Sequence, residues 1–276
     1  MQGFGTLVRL TDASLAKDSF QKLKDLGFSY CQLVYKPQRY SHEDARIIKA
    51  AAEEVGLTIV AMFAGYNDSF TKWDLYEDYK LAGINSKKHG KKRIAYVKEA
   101  AAFAKETGVS DVLIHAGFIA NDPFSKEYRY MKKCLTAFCT YCCSIGVNVL
   151  LETGGESPVT LLRILSDMNL DNVFVNLDTA NVIMYGYGNP VDAVYTLKNH
   201  IRSLHLKDGV PPTTPNALGK EVPMGEGFVD FCRVFEQLGA IGFDGPLIFE
   251  REIQGEKQLE DIQKAIRYLD ENILKK

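Results

Sequence analysis

The sequence is short of the features that mark several protein classes. Only six cysteines occur in 276 residues, too few for a disulfide-stapled fold in so long a chain. Neither charge sign dominates: the formal net charge is −2 and the pI about 6.2. No general basic field exists to draw in nucleic acid or an anionic membrane. No apolar run approaches the length of a bilayer-spanning helix. The opening Met1-Gln2-Gly3-Phe4-Gly5-Thr6 lacks both the basic start and the apolar core of a signal peptide, so a cytoplasmic location is expected. Low-complexity tracts and Pro/Gly/Ser-rich linkers are missing too, which argues against disorder and for one domain spanning 1–276.

What is present alternates. Apolar runs with strand character at 6–10, 30–35, 57–64 and 111–115 are separated by stretches of helical spacing at 14–26, 41–55 and 94–107. Gly27, Gly56 and Gly108 stand at the helix ends, where a left-handed residue is needed. Four more strands, at 147–152, 173–178, 201–205 and 246–250, alternate with helices at 128–144, 159–168, 191–199 and 229–238, and a last helix covers 257–273. Eight strands in strict alternation with helices predict parallel strands with helical crossovers, an α/β fold. Strands this short and apolar on both faces favour a closed (β/α)8 barrel. A doubly wound open sheet is the alternative, but no Gly-rich turn follows the first strand. Cys134, Cys139, Cys142 and Cys143 cluster, yet they fall within a helical pattern, where thiols act as small apolar groups.

The C-terminal strands share one feature. Each ends on a metal-capable side chain: Glu152, Asp178, His205 and Glu250, spaced 26, 27 and 45 residues apart. Adjacent parallel strands would bring these four groups together at one end of the barrel. Three carboxylates and an imidazole in one place repel unless a cation holds them. Oxygen-rich ligation with one imidazole suits Mn²⁺, Mg²⁺ or Co²⁺, with Fe²⁺ and Zn²⁺ also admitted. Two long connections, 65–93 and 208–228, follow strands and are expected to cover this face.

The segments Leu150-Leu151-Glu152-Thr153-Gly154, Asn176-Leu177-Asp178-Thr179-Ala180-Asn181, Leu204-His205-Leu206-Lys207-Asp208, Gly225-Glu226-Gly227 and Ile248-Phe249-Glu250 resemble the xylose isomerase-like TIM barrel superfamily. Within it, the sequence looks most like the sugar phosphate isomerase/epimerase group with its ketose 3-epimerases. The resemblance covers essentially the whole chain. It implies one divalent metal held by Glu152, Asp178, His205 and Glu250, with Glu152 and Glu250 also transferring protons. The implied activity is isomerisation or epimerisation of a keto-sugar or related polyol through a metal-stabilised enediolate. A dehydratase or lyase of the same barrel, acting on an inosose or keto-sugar, is the alternative. An endonuclease IV-like hydrolase would need several more histidines than the five present. A non-catalytic, metal-binding carbohydrate sensor is a further alternative.

The resemblance also marks departures. The epimerases commonly carry a histidine where this chain has Asn181, and an arginine where it has Pro211. Both are substrate contacts in that group, so Asn181, Lys207 and Glu156 are candidates for those contacts here. His115, at the end of the fourth strand, is placed to hydrogen-bond a sugar hydroxyl. Trp73, with Phe70 and the nearby tyrosines, is a candidate apolar wall. The run Lys87-Lys88-His89-Gly90-Lys91-Lys92-Arg93 reads as a solvated helix start in which Arg93 alone is a candidate to turn inward. The expected partner is a small carbohydrate, with neither nucleic acid nor membrane. A homodimer or higher homo-oligomer is admitted because barrels of this kind often pair.

Overall fold

A computed structural model of the chain describes residues 3–36, 39–66, 83–215 and 217–274. The strands in chain order begin with β1 (Phe4–Val8), β2 (Tyr30–Tyr35), β3 (Thr58–Ala64), β4 (Asp111–Ile114), β5 (Asn148–Glu152), β6 (Val173–Asp178) and β7 (Ile201–Leu206). A short antiparallel hairpin follows, β8 (Asp208–Val210) with β9 (Lys220–Val222), and then β10 (Leu247–Phe249). Strands β1 to β7 and β10 pair in parallel and close into a barrel in the order β1-β10-β7-β6-β5-β4-β3-β2. Flanking helices are α1 (Ala16–Asp25), α2 (His42–Val55), α3 (Gly90–Thr107), α4 (Lys126–Ser144), α5 (Pro158–Met168), α6 (Asn181–Met184), α7 (Pro190–Leu197), α8 (Phe231–Ala240) and α9 (Glu256–Leu269). The fold is the α/β TIM barrel expected.

Local chemistry explains the helix limits. Ser41 and Asp44 form a reciprocal capping box at the start of α2, and Gly56 ends it at φ 69°. Ser157 caps α5 ahead of Pro158, whose missing N–H costs nothing in a first turn. On α2, Ala45, Ile48, Ala51 and Ala52 are buried, the stripe that packs on the barrel. Cys134, Cys139 and Cys142 are buried on α4 in the same way.

Some boundaries move. β1 begins at Phe4 rather than at Thr6 because Gly5 lies within the strand, where a Cβ would meet the Tyr30 carbonyl oxygen at 2.5 Å. The last α-helix ends at Leu269 and passes into a π-helical turn, Asp270–Leu274. The short α6, directly after Asp178, has no counterpart in the sequence pattern. The connection after β7 is the β8–β9 hairpin and not an irregular loop.

The barrel interior is layered. Asp111, at the start of β4, takes a hydrogen bond from Asn148 at 2.8 Å and an ion pair from Arg202 at 2.9 Å. Above this plug, Ala61, Leu113 and Leu150 form a small apolar cluster with Phe63 and Phe174 packed on it. The polar groups come last, at the C-terminal ends. Register puts Glu152 beside Asn176, Asp178 beside His205, and His205 beside Ile248. Neighbours in a parallel register face the same way, and side chains alternate along a strand, so Glu152, Asp178, His205 and Glu250 all point inward.

The Asp208 carboxylate anchors the segment after the hairpin. It accepts the backbone N–H groups of Gly209, Gly225, Gly227 and Val229 at 2.8 to 3.2 Å. Gly227 has to be glycine, because a Cβ there would lie 2.1 Å from Asp208 Oδ1. Asp208→Ala strips four amides of one shared acceptor and is expected to lower stability by about 2 kcal/mol, read by urea denaturation.

Candidate metal centre

The four strand-end side chains converge. Ligand atoms of Glu152, Asp178, His205 and Glu250 all lie within 4.8 Å of one another, and all four residues are buried. His205 Nδ1 is 3.0 Å from Glu152 Oε1, 3.2 Å from Glu250 Oε2 and 3.8 Å from Asp178 Oδ2. One imidazole edge therefore faces three carboxylates.

The surrounding bonds leave these edges turned to a common point. His205 Nε2 lies 2.8 Å from Gln32 Oε1, and Gln32 in turn donates to Ser203 Oγ at 3.3 Å. An Nε2–H donated to that amide oxygen places the Nδ1 lone pair toward the carboxylates, as metal-bound imidazoles require. Asp178 is oriented from the other side: its Oδ1 accepts the N–H groups of Ala180 and Asn181, both at 2.8 Å, at the start of α6. Its Oδ2 is buried and makes no hydrogen bond. A buried carboxylate oxygen that makes no hydrogen bond, with an imidazole nitrogen, two further carboxylates and the Lys207 ammonium around it, fits a divalent cation.

Threonines tie the strand ends together. Thr153 Oγ1 accepts the Asp178 N–H at 2.9 Å, and Thr179 Oγ1 donates to the Lys207 carbonyl at 2.6 Å. Each follows a cluster carboxylate directly, a Glu-Thr and Asp-Thr repeat legible in the sequence but assigned no part there. Gln32 was also missed; its only signal is a lone amide inside the apolar strand Tyr30–Tyr35.

Lys207 turns inward and is buried. Its Nζ lies 3.3 Å from Glu250 Oε2, 3.5 Å from Asp178 Oδ2 and 3.2 Å from Asn181 Oδ1, and it contacts the Glu252 carboxylate. Asn181 also donates to the Thr153 carbonyl at 2.9 Å. His115 is half-buried beside Gly154, where a Cβ would meet its ring at 2.2 Å. A cavity of about 430 Å³ opens over the cluster, with His115, Glu152, Asn181, Tyr185, Glu250 and Glu252 on its walls. Glu156 lies elsewhere, on a neighbouring cavity of about 830 Å³ over the loops after β4 and β5. The larger cavity touches none of the four cluster residues, so the cluster opens into the smaller one. Arg93 is buried, donating to the Gly83 carbonyl at 2.9 Å with its guanidinium 5.1 Å from the Tyr66 ring centroid. Trp73 and Phe70 lie outside the described residues.

Proton affinities follow from crowding. Burial opposes a charge on His205, but Glu250 and Glu152 outweigh it and raise the imidazole to about 10. Burial lifts Asp178 well above its usual range, with Lys207 opposing. Glu250 is also buried, yet Lys207 and His205 hold it well below the ordinary carboxylate value. Burial lowers His115 to about 4, and Lys207 adds to this. Burial raises Glu156 to about 8, against a hydrogen bond from the Gly154 N–H.

A family model described as Xylose isomerase-like TIM barrel matches residues 20–272. The chain belongs to this family. The Escherichia coli K12 protein YihM, named as uncharacterized, is 27% identical over 189 residues, 64% of this chain and 54% of YihM. The match thus spans about half of that relative's length. Among solved structures, a xylose isomerase domain protein from Planctomyces limnophilus is 27% identical with a TM-score of 0.86, covering 97% of this chain and 95% of its own. The E. coli 3-keto-D-glucoside 4-epimerase YcjR is 17% identical at TM-score 0.73, over 98% and 99% of the two chains. A probable 3-DHS dehydratase from Bacillus anthracis, AsbF, is 20% identical at 0.69, over 99% and 100%. The last two likenesses are of fold alone. Among the described residues, no helix is long and apolar enough to cross a membrane.

Two outcomes follow from this geometry. Gln32→Leu removes the acceptor for His205 Nε2 and is expected to weaken Mn²⁺ binding by about 10- to 100-fold, read by calorimetric titration. Glu156 is raised in the fold, so its contribution to stability is full below the ordinary carboxylate value and is lost as pH rises toward about 8. Glu156→Gln removes that loss. Its melting temperature is expected to gain on the wild type from pH 5 to pH 8, and a constant gap would contradict the assignment.

Proposed function

We propose that the whole chain, 1–276, is one barrel domain and a divalent-metal-dependent sugar isomerase or epimerase. Its substrate class is a keto-sugar or related polyol, and its setting is the cytoplasm. The observation that carries this reading is the pair Glu152 and Glu250. They come from strands on either side of the β6–β7 pair, and both approach the same imidazole edge, at 3.0 and 3.2 Å. Both line the cavity.

Glu152, Asp178, His205 and Glu250 would hold the cation, with Mn²⁺, Mg²⁺ or Co²⁺ suited to the oxygen-rich set. When bound, it polarises a carbonyl and the hydroxyl beside it and so acidifies the C–H between them. The rest falls to this chain's own groups. Lys207 Nζ, 3.3 Å from Glu250 Oε2, favours the ionised form of that carboxylate. Two carboxylates on the wall of one cavity suit one group removing a proton while the other returns one. Return to the opposite face inverts a stereocentre, and return to the neighbouring carbon isomerises the sugar. His115, kept neutral, and Asn181 are placed to hydrogen-bond hydroxyls. Glu156, on the adjacent cavity, would contact only a substrate that extends beyond the metal centre.

Lys207 favours a second reading. Its buried ammonium, held protonated by the surrounding carboxylates, stands at the mouth of the cluster, where it would hydrogen-bond a departing β-hydroxyl and stabilise the charge growing on it, as a dehydratase requires. The Mn²⁺-loaded protein, incubated in D₂O with ketoses, keto-glycosides and inososes, is expected to incorporate deuterium at one carbon of its substrate, read by NMR. Enone absorption appearing with exchange would assign the lyase. Glu152→Gln and Glu250→Gln are each expected to cut exchange by about 10²- to 10⁴-fold. Exchange surviving in both variants would overturn the proton-transfer roles.

A further inference from the structure

Glu252 lies two residues past a cluster carboxylate, and the fold places it with care. Glu250 faces into the barrel. Arg251 turns away, reaching Glu221 at 2.6 Å and Asp261 at 3.0 Å. Glu252 turns back to the mouth, where it lines the cavity over the cluster. Its backbone N–H is bound by both carboxylate oxygens of Glu221, each at 3.1 Å. Glu221 belongs to β9, so the β8–β9 hairpin holds the Glu252 backbone while leaving its side chain about half exposed.

The charges at this mouth can be counted. Glu152, Asp178 and Glu250 contribute three negative charges. A divalent cation and Lys207 cancel them, with His205 neutral as a ligand. Glu252 is then left over and makes the entrance negative by one. Among the described residues, the walls of this cavity carry no arginine or lysine. Lys207, the ammonium behind them, is already engaged by Asp178, Glu250 and Glu252. Among the described residues, a phosphate or carboxylate entering here meets the Glu252 charge and no free counter-charge on the cavity walls. An uncharged hydroxyl meets an acceptor-only carboxylate, to which it can donate.

We propose that Glu252 determines the charge of the substrate: the site takes an uncharged polyhydroxy ketone and rejects phosphorylated or carboxylated counterparts. This inference rests on the enolising, metal-dependent reading above and narrows its substrate class. Discrimination comes from the repulsive element as much as from the new acceptor.

The test compares dihydroxyacetone with dihydroxyacetone phosphate, the smallest matched neutral and anionic α-hydroxyketones. Binding to the Mn²⁺-loaded protein is followed by calorimetry and by the electron paramagnetic resonance of the bound ion. The wild type is expected to favour the neutral ligand by about tenfold or more, Glu252→Gln to narrow that ratio by about tenfold, and Glu252→Lys to invert it. Mn²⁺ affinity is expected to fall by no more than about tenfold with Glu252→Gln, the loss of one charge at the mouth, showing an intact centre. A wild type that prefers the phosphate, or that binds neither ligand, overturns the proposal. So does a ratio unmoved by both substitutions, or a Mn²⁺ affinity that collapses with Glu252→Gln. A shifted ratio without deuterium exchange on any substrate would instead remove the enolising reading and leave the charge selection standing.

Discussion

Everything at the mouth of this barrel answers to one constraint, the repulsion among three buried carboxylates. Two like charges about 4 Å apart cost on the order of 4 kcal/mol even at an effective dielectric constant near 20. Ligand atoms of Glu152, Asp178 and Glu250 lie within 4.8 Å of one another. The chain meets the cost with an imidazole, with the ammonium of Lys207, and with backbone amides on Asp178 Oδ1. Their combined effect is uneven. Asp178 is pushed toward its neutral form, Glu250 is held ionised, and His205 becomes a strong base. A divalent cation resolves the same conflict more completely, since its two charges meet all the carboxylates at once. Asp178 Oδ2, which makes no hydrogen bond, and the inward edge of His205 are the positions at which it would act.

The supports reach outward by shells. Gln32 on β2 orients the imidazole from across the barrel, and Ser203 orients Gln32. Thr153 and Thr179 lock β5, β6 and β7 at one level. Asp208 fixes the chain around Gly225 and Gly227, and Glu221 on the hairpin fixes Glu252. None of these needs to touch a substrate. Each removes rotational freedom from a group in or around the cluster, which is how a site on a rigid barrel stays preorganised.

Alternation and strand ends were legible from the sequence because both are local. Period, glycine stops and caps place α2, α3 and α5 to within a few residues, and a polar side chain ending an apolar run is visible wherever it occurs. Gly5 misled the reading of β1, since a glycine inside a strand looks like a break until the neighbouring strand's carbonyl is seen beside it. The hairpin at 208–222 was read as a plain connection because its strands have three residues each. The inward turn of Lys207 could not be decided either, since a strand-end lysine reads the same whether it faces solvent or the cluster. Glu156 was a candidate for the substrate contacts that Asn181 and Pro211 leave unmade, yet Gly154 and Gly155 carry it over to the next cavity.

By itself, the sequence determined the fold class and the four groups that could share a cation, because strand parity and βα spacing leave parallel strand ends little choice of direction. Tertiary structure decided the rest: which edge of His205 is presented, which oxygen of Asp178 is left without a donor, and where Lys207 and Glu252 meet. Those outcomes depend on contacts between residues as far apart as Gln32 and His205. Register across a closed sheet sets such contacts, and no periodicity along the chain records them.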